Sequence, residues 1–122
     1  LIDDSPEDAR LLQYTCRQSG ISADYKLVDS ASALSAVLHE TWHAIVSDYR
    51  IPGFGAEPAI QMIRERDADV PVIVVSHTIN ADESRRLLNL GADEVLQKSA
   101  RAHLPEIIRQ RAQQSLMASP AR

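Results

Sequence analysis

The chain has 122 residues, 44% of them hydrophobic and 25% charged, with a formal net charge of -4; this suits one domain around one core and excludes a disordered segment. Its longest apolar run, Val70 to Val75, is interrupted by Pro71 and falls far short of the ~20 residues of a membrane-spanning helix, while the acidic balance offers no basic footprint for direct nucleic-acid binding. The single cysteine, Cys16, cannot form an intramolecular disulfide, which excludes a disulfide-stapled secreted scaffold and fits a reducing, cytoplasmic setting.

In chain order, Leu1-Ile2 reads as the end of a strand. Ser5-Pro6-Glu7-Asp8 then supplies a cap, a first-turn proline and two acids that favour a helix N-terminus, so a helix is predicted from Pro6 to about Ser19. Gly20 stops it, and Tyr25 to Val28 forms a short second strand. Ser30 or Ser32 can cap a second helix through Ala33, Leu34, Val37 and Leu38. Ala44-Ile45-Val46 is a third strand that ends in polar Ser47-Asp48. Ile51-Pro52-Gly53-Phe54-Gly55 has the chemistry of a loop, followed by helical spacing of Ile60 and Ile63 to near Arg66. Val70 to Val75 is apolar throughout, as in a strand covered on both faces. Asp82-Glu83 opens a helix that Gly91 closes, Glu94 to Gln97 is a fifth strand, and a last helix runs from Leu104 to about Leu116. Five strands alternating with five helices predict an α/β doubly wound domain with a parallel sheet and right-handed crossovers.

In such sheets ligands sit outside the carboxyl ends of the strands. Those ends carry Asp3 and Asp4, then Asp48, Ser76 and Lys98. Any one of them alone is more often a cap or a solvated charge. Together they are three carboxylates, a hydroxyl and an ammonium, and three crowded carboxylates repel unless a hard cation neutralises them. Magnesium suits this set because it takes few carboxylates and shares its remaining positions with water and phosphate oxygens. A carboxylate beside such a cation and a lysine is equipped to accept a phosphoryl group, and a neighbouring hydroxyl can respond by hydrogen bonding to it. His39, His43, His77 and His103 show no ligand-like spacing, so no zinc site is expected. Trp42 and Phe54 read as packing residues, and Arg101, Arg109 and Arg111 as a solvated helix face.

The segments Leu1-Ile2-Asp3-Asp4-Ser5-Pro6-Glu7-Asp8, Ile45-Val46-Ser47-Asp48-Tyr49-Arg50-Ile51-Pro52-Gly53, Val72-Ile73-Val74-Val75-Ser76 and Gly91-Ala92-Asp93-Glu94-Val95-Leu96-Gln97-Lys98 resemble bacterial response-regulator receiver domains in order, spacing and context. The resemblance implies a flavodoxin-like fold with five parallel strands in the order 2-1-3-4-5, an arrangement for which the flavodoxin and receiver folds are the standard examples. It also implies that Asp48 accepts phosphate from a histidine kinase or phosphotransfer protein, with magnesium held by Asp3, Asp4, Asp48 and the backbone carbonyl of Arg50. Ser76 would be the switch hydroxyl and Lys98 the partner of the acyl phosphate. The domain would be a signalling module and not an enzyme beyond its own phosphorylation and slow dephosphorylation, occupying residues 1–117, with 118–122 beginning a linker. The start at Leu1 without a methionine leads us to expect residues upstream, and the full-length chain could carry an output domain. This segment itself is expected to touch neither nucleic acid nor membrane.

Two positions depart from the family pattern. Val95 stands where an aromatic switch residue is common, and Ser99 follows the lysine where proline is common. Three other functions compete: a degenerate receiver serving only as an interaction surface, a flavodoxin-like electron carrier, and a haloacid-dehalogenase-type phosphatase. The intact acidic set disfavours the first, the lack of a Gly/Ser/Thr-rich phosphate loop after the first strand disfavours the second, and the adjacency of Asp3 and Asp4 disfavours the third, which expects acids two residues apart.

Overall fold

The computed structural model of the chain describes residues 1–2, 6–18, 20, 26–40, 42, 44–49, 55–76 and 80–118. Three strands, β1 (Ile45–Asp48), β2 (Val72–Ser76) and β3 (Glu94–Gln97), form a parallel sheet in the order β1-β2-β3. Ile2 extends it by one residue, bridging in parallel to both Val28 and Ser47. Five helices accompany the sheet among the described residues: α1 (Pro6–Gln18), α2 (Ala31–Val37), α3 (Ala56–Arg66), α4 (Ala81–Leu90) and α5 (Leu104–Ala118). Of the predicted strand at Tyr25 to Val28, only Val28 pairs, through its bridge to Ile2; Lys26 and Leu27 are not in a strand, and Tyr25 lies outside the described residues.

Alternation along the strands divides the interior in two. Ile45, Val72 and Val74, with half-buried Val95, belong to a cluster that includes Leu34 of α2, Ala59, Ile60 and Ile63 of α3, and Leu87 of α4. Val46, Ile73 and Val75 join Leu12 and Cys16 of α1 and Leu104 of α5 in a second cluster, with Leu96 packed beside it. A period of two in each strand therefore supplies both faces of one sheet, and each fully buried aliphatic side chain contributes about 1.5–3 kcal/mol. Cys16, on α1, is buried as a free thiol.

Local chemistry explains the boundaries. Ser30 caps α2, its hydroxyl accepting from the Ala33 amide at 3.2 Å. β2 starts two residues later than the apolar run suggests. Pro71 has no amide to donate, and the Val70 amide and carbonyl are engaged elsewhere, by the Asp67 carboxylate at 3.1 Å and the Arg64 guanidinium at 2.7 Å. β2 in turn gains Ser76, and β1 ends at Ser47-Asp48 as expected but starts at Ile45, without Ala44. α4 starts at Ala81 because Asn80 forms a capping box, with its side chain accepting from the Glu83 amide at 2.8 Å. Gly91 ends that helix at a φ of 127°, a region that favours glycine. A 3₁₀ segment, Lys98–His103, joins β3 to α5; nothing in the periodicity announced it. Among the described residues no helix is long and apolar enough to cross a membrane.

Candidate functional site

Asp48 is the last residue of β1 and Ser76 the last of β2. The parallel register pairs Asp48 with Val75 and Ser76 with Gln97, the residue before Lys98. Three neighbouring strands therefore end at one rim, carrying Asp48, Ser76 and the backbone of Lys98. The fourth contribution comes from the chain start. The Asp48 amide donates to the Ile2 carbonyl at 2.7 Å, and the Ile2 amide donates to the Val46 carbonyl at 2.8 Å. Ile2 thus lies against the end of β1, and Asp3 is covalently next to it.

The predicted positions differ in how far the structure describes them. Asp48 is partly exposed at the rim, whereas Ser76 is buried, with 4% of its surface accessible. Lys98 opens the 3₁₀ segment, but its side chain lies outside the description, as do Asp3, Asp4 and Arg50 altogether. His77 and Phe54 also lie outside it. Among the described residues no three histidine, cysteine or acidic side chains gather closely enough to hold a metal; the expected set draws on Asp3 and Asp4. Trp42 is the packing residue expected of it, its indole donating to the Val37 carbonyl at 2.8 Å. Arg111 corrects the reading of a solvated helix face: its guanidinium reaches the Glu94 carboxylate at 2.6 Å and the Asp93 carbonyl at 3.2 Å, tying α5 to the start of β3. Arg109 sits at 3.6 Å from Glu106 with both side chains largely exposed, in keeping with that reading.

Ser47 and Tyr49, on either side of Asp48, escaped sequence reasoning. Ser47 is fully enclosed and its hydroxyl donates to the Asp48 carbonyl at 3.0 Å, stiffening the strand end. Tyr49 leaves the strand with its backbone held twice: its amide donates to the Val75 carbonyl at 2.8 Å and its carbonyl accepts from the Ala56 amide at 3.2 Å. Its hydroxyl donates to the Glu83 carboxylate in the first turn of α4. That hydrogen bond, then burial, then the nearby negative charges of Glu83 and Glu57 push its pKa above the usual tyrosine value, with Arg86 acting in the opposite sense. Arg86 itself pairs with Glu57 at 3.2 Å, linking α4 to α3. A tyrosine adjoining the acceptor candidate was the only sequence signal for this group.

Known proteins resemble the chain in both sequence and fold. A family model described as Response regulator receiver domain matches residues 1–109. The C4-dicarboxylate transport transcriptional regulatory protein DctD of Pseudomonas aeruginosa is 29% identical over 99 residues, which cover 80% of this chain and 21% of that protein. The transcriptional regulatory protein PrrA of Mycobacterium tuberculosis is 32% identical over 98 residues, covering 80% of this chain and 42% of that one. The chain thus spans less than half the length of these regulators. The crystallised receiver domain of sensor histidine kinase PA1611 from Pseudomonas aeruginosa, which has a magnesium ion coordinated in its active site cleft, superposes with a TM-score of 0.75 at 23% identity, covering 91% of this chain and 93% of that one.

Proposed function

The chain belongs to the response regulator receiver domain family, and on that premise we propose that Asp48 accepts a phosphoryl group from the phosphohistidine of a partner histidine kinase or phosphotransfer protein. The observation that carries this reading is the convergence of Asp48, Ser76 and the start of the Lys98 segment on one rim of the sheet. An Asp48 carboxylate oxygen forms a bond to phosphorus as the phosphorus–nitrogen bond breaks, and the departing imidazole keeps that electron pair and takes up a proton. Ser76 then gains a charge-assisted acceptor and draws the loop before α4 toward the rim, while Lys98 pairs with the acyl phosphate.

Magnesium fits these residues. The Ile2 carbonyl accepts from the Asp48 amide, Asp3 follows Ile2 in the chain, and an oxygen-only donor set suits a hard cation. Asp3, Asp4, Asp48 and the Arg50 carbonyl would hold it, and the magnesium-bound PA1611 receiver supports the assignment. When bound, the ion neutralises the carboxylates and stabilises charge on the transferring oxygens.

The five-strand order 2-1-3-4-5 belongs to the same reading, supported by the parallel bridges of Ile2 to Val28 and Ser47. So do a receiver over residues 1–117 with a linker from 118, a cytoplasmic location, an output domain elsewhere in the full-length protein, and a signalling role without turnover of an external substrate. Incubation with acetyl phosphate and magnesium should add one phosphoryl mass to the chain and none to Asp48→Asn. Equal modification of the two would refute the assignment.

A further inference from the structure

Ser47 and Ser76 are the buried polar side chains among the described residues, and both lie at the ends of strands that meet at the acceptor rim. Ser76 has a part in the switch, whereas Ser47, with none of its surface accessible, takes no part in the chemistry described above. The parallel register sets Ser47 level with Val74 and, one strand further, with Val95, and the bridge to Ile2 completes the row. These three neighbours are aliphatic and offer its hydroxyl no side-chain acceptor. The hydroxyl turns along the strand instead and donates to the Asp48 carbonyl at 3.0 Å. A buried hydroxyl is costly to leave without a partner, so this bond persists while the strand is folded. Alanine would fill the row without that requirement, and the effect of the hydroxyl therefore falls on Asp48.

We propose that Ser47 is a positioning residue for phosphoryl transfer: its buried hydroxyl fixes the peptide unit after Asp48, and with it the direction in which the acceptor carboxylate leaves the strand. The proposal rests on Asp48 being the acceptor. The backbone on the two sides of the Asp48 Cα is tied to different neighbours. The Asp48 amide donates to the Ile2 carbonyl at 2.7 Å, and the next amide, that of Tyr49, donates to the Val75 carbonyl of β2 at 2.8 Å. Between them the Ser47 hydroxyl holds the Asp48 carbonyl, so the Asp48–Tyr49 peptide is gripped at both its oxygen and its nitrogen. Rotation of that plane would swing the chain leading to Arg50, whose carbonyl is the proposed metal ligand, relative to the Asp48 carboxylate. An attacking oxygen reacts well only when it is held near its line of approach, and a small misplacement lowers the rate without changing the chemistry. Ser47 acts through Asp48, because its hydroxyl is enclosed and engaged by the carbonyl.

The experiment compares the parent with Ser47→Ala and Ser47→Cys, each shown by urea titration to be folded. Cysteine keeps the bulk of the serine side chain but donates weakly. Initial rates of phosphorylation by acetyl phosphate at saturating magnesium should fall about threefold to tenfold in Ser47→Ala, the factor for one lost hydrogen bond, with Ser47→Cys in between. The urea midpoint of Ser47→Ala should stay close to that of the parent, because Asp48 is partly exposed and water can take the place of the hydroxyl. In carbon NMR the Asp48 carbonyl resonance should move upfield in Ser47→Ala, which reports the loss of the bond directly. An unmoved resonance would show that the bond is absent, and a moved resonance with an unchanged rate would show that it does not position the acceptor; either overturns the proposal. So would Ser47→Cys as fast as the parent, since filled space and not donation would then be the cause, and this comparison decides alone if Ser47→Ala does not fold. A parent that takes up no phosphoryl group, or Asp48→Asn that takes it up as fast, sinks the acceptor assignment and the proposal together. A reactive parent matched by Ser47→Ala sinks the proposal alone.

Discussion

Arg64 provides a quantitative test of how the rim is supported from below. From α3 its guanidinium donates to the Gly91 carbonyl at 2.9 and 2.7 Å, to the Val70 carbonyl at 2.7 Å, and to the Asp93 carboxylate at 3.0 Å, while Asp93 also accepts from the Val72 amide at 2.8 Å. One side chain thereby joins the C-terminus of α4, the approach to β2 and the approach to β3. Arg64→Ala strips donors from two part-buried carbonyls and leaves Asp93 with its amide partner alone. The Arg64 and Asp93 side chains keep 18% and 34% of their surface accessible, so water replaces part of what is lost and the ion pair counts at the low end. With about 1 kcal/mol for each of the three acceptors, the expected destabilisation is about 3 kcal/mol. For a urea slope of about 1.5 kcal/mol per molar, the midpoint should fall by about 2 M. Arg64→Lys preserves charge and stem but not the planar fork, and should lose about 2 kcal/mol. A loss below about 1 kcal/mol in Arg64→Ala, or a lysine variant as stable as the parent, would refute the reasoning.

Gly91→Ala should also destabilise, by about 2 kcal/mol in thermal melts, because φ is 127° and the new Cβ would lie 2.9 Å from Arg64 Cγ and 3.0 Å from Nε. Magnesium affinity, measured by titration, should fall at least about tenfold in Asp4→Ala, since an oxygen ligand and its charge are removed together; unchanged affinity would place the ion elsewhere. Beryllofluoride should shift NMR resonances from Ser76 to Asp82 in the parent and much less in Ser76→Ala, with Val95→Ala close to the parent; the reverse ranking would shift the switch to Val95. Finally, the raised Tyr49 pKa sets a pH dependence. A raised value in the folded state means that the stabilisation is fully present below the ordinary tyrosine pKa of about 10 and is lost as pH climbs through the higher folded value. The urea-midpoint advantage of the parent over Tyr49→Phe should therefore be level from neutral pH to about 9 and shrink above about 10, whereas growth with pH would contradict the Glu83 hydrogen bond.

Much of the fold could be read from short-range signals. Proline at the first turn of α1, Ser30 before α2, Gly91 after α4 and the unbroken apolar run of β2 each express a backbone or solvation preference that acts within a few residues. Asp48 and Ser76 were legible as strand ends because such ends are marked by an abrupt change from apolar to polar. What remained hidden depends on distant partners. Arg111 looks solvated until Glu94 is brought beside it, and Tyr49 looks like a loop aromatic until α4 delivers Glu83. The start of α4 was displaced for a similar reason: two acids suggested a helix dipole at Asp82, while the reciprocal bonds of Asn80 and Glu83 set the boundary earlier.

β2 has a neighbour on each edge, and every one of its residues is buried. Close-packed matter of this kind has no slack: moving a methyl group there opens a void or creates an overlap, and either costs more than a hydrogen bond at the surface returns. The middle of the sheet therefore behaves as bedrock, and any rearrangement at the rim meets less resistance in loops and helix ends than in the interior. Natural variation should sort along the same line, with changes inside β2 altering how much protein survives in the cell and changes in the rim altering what it says.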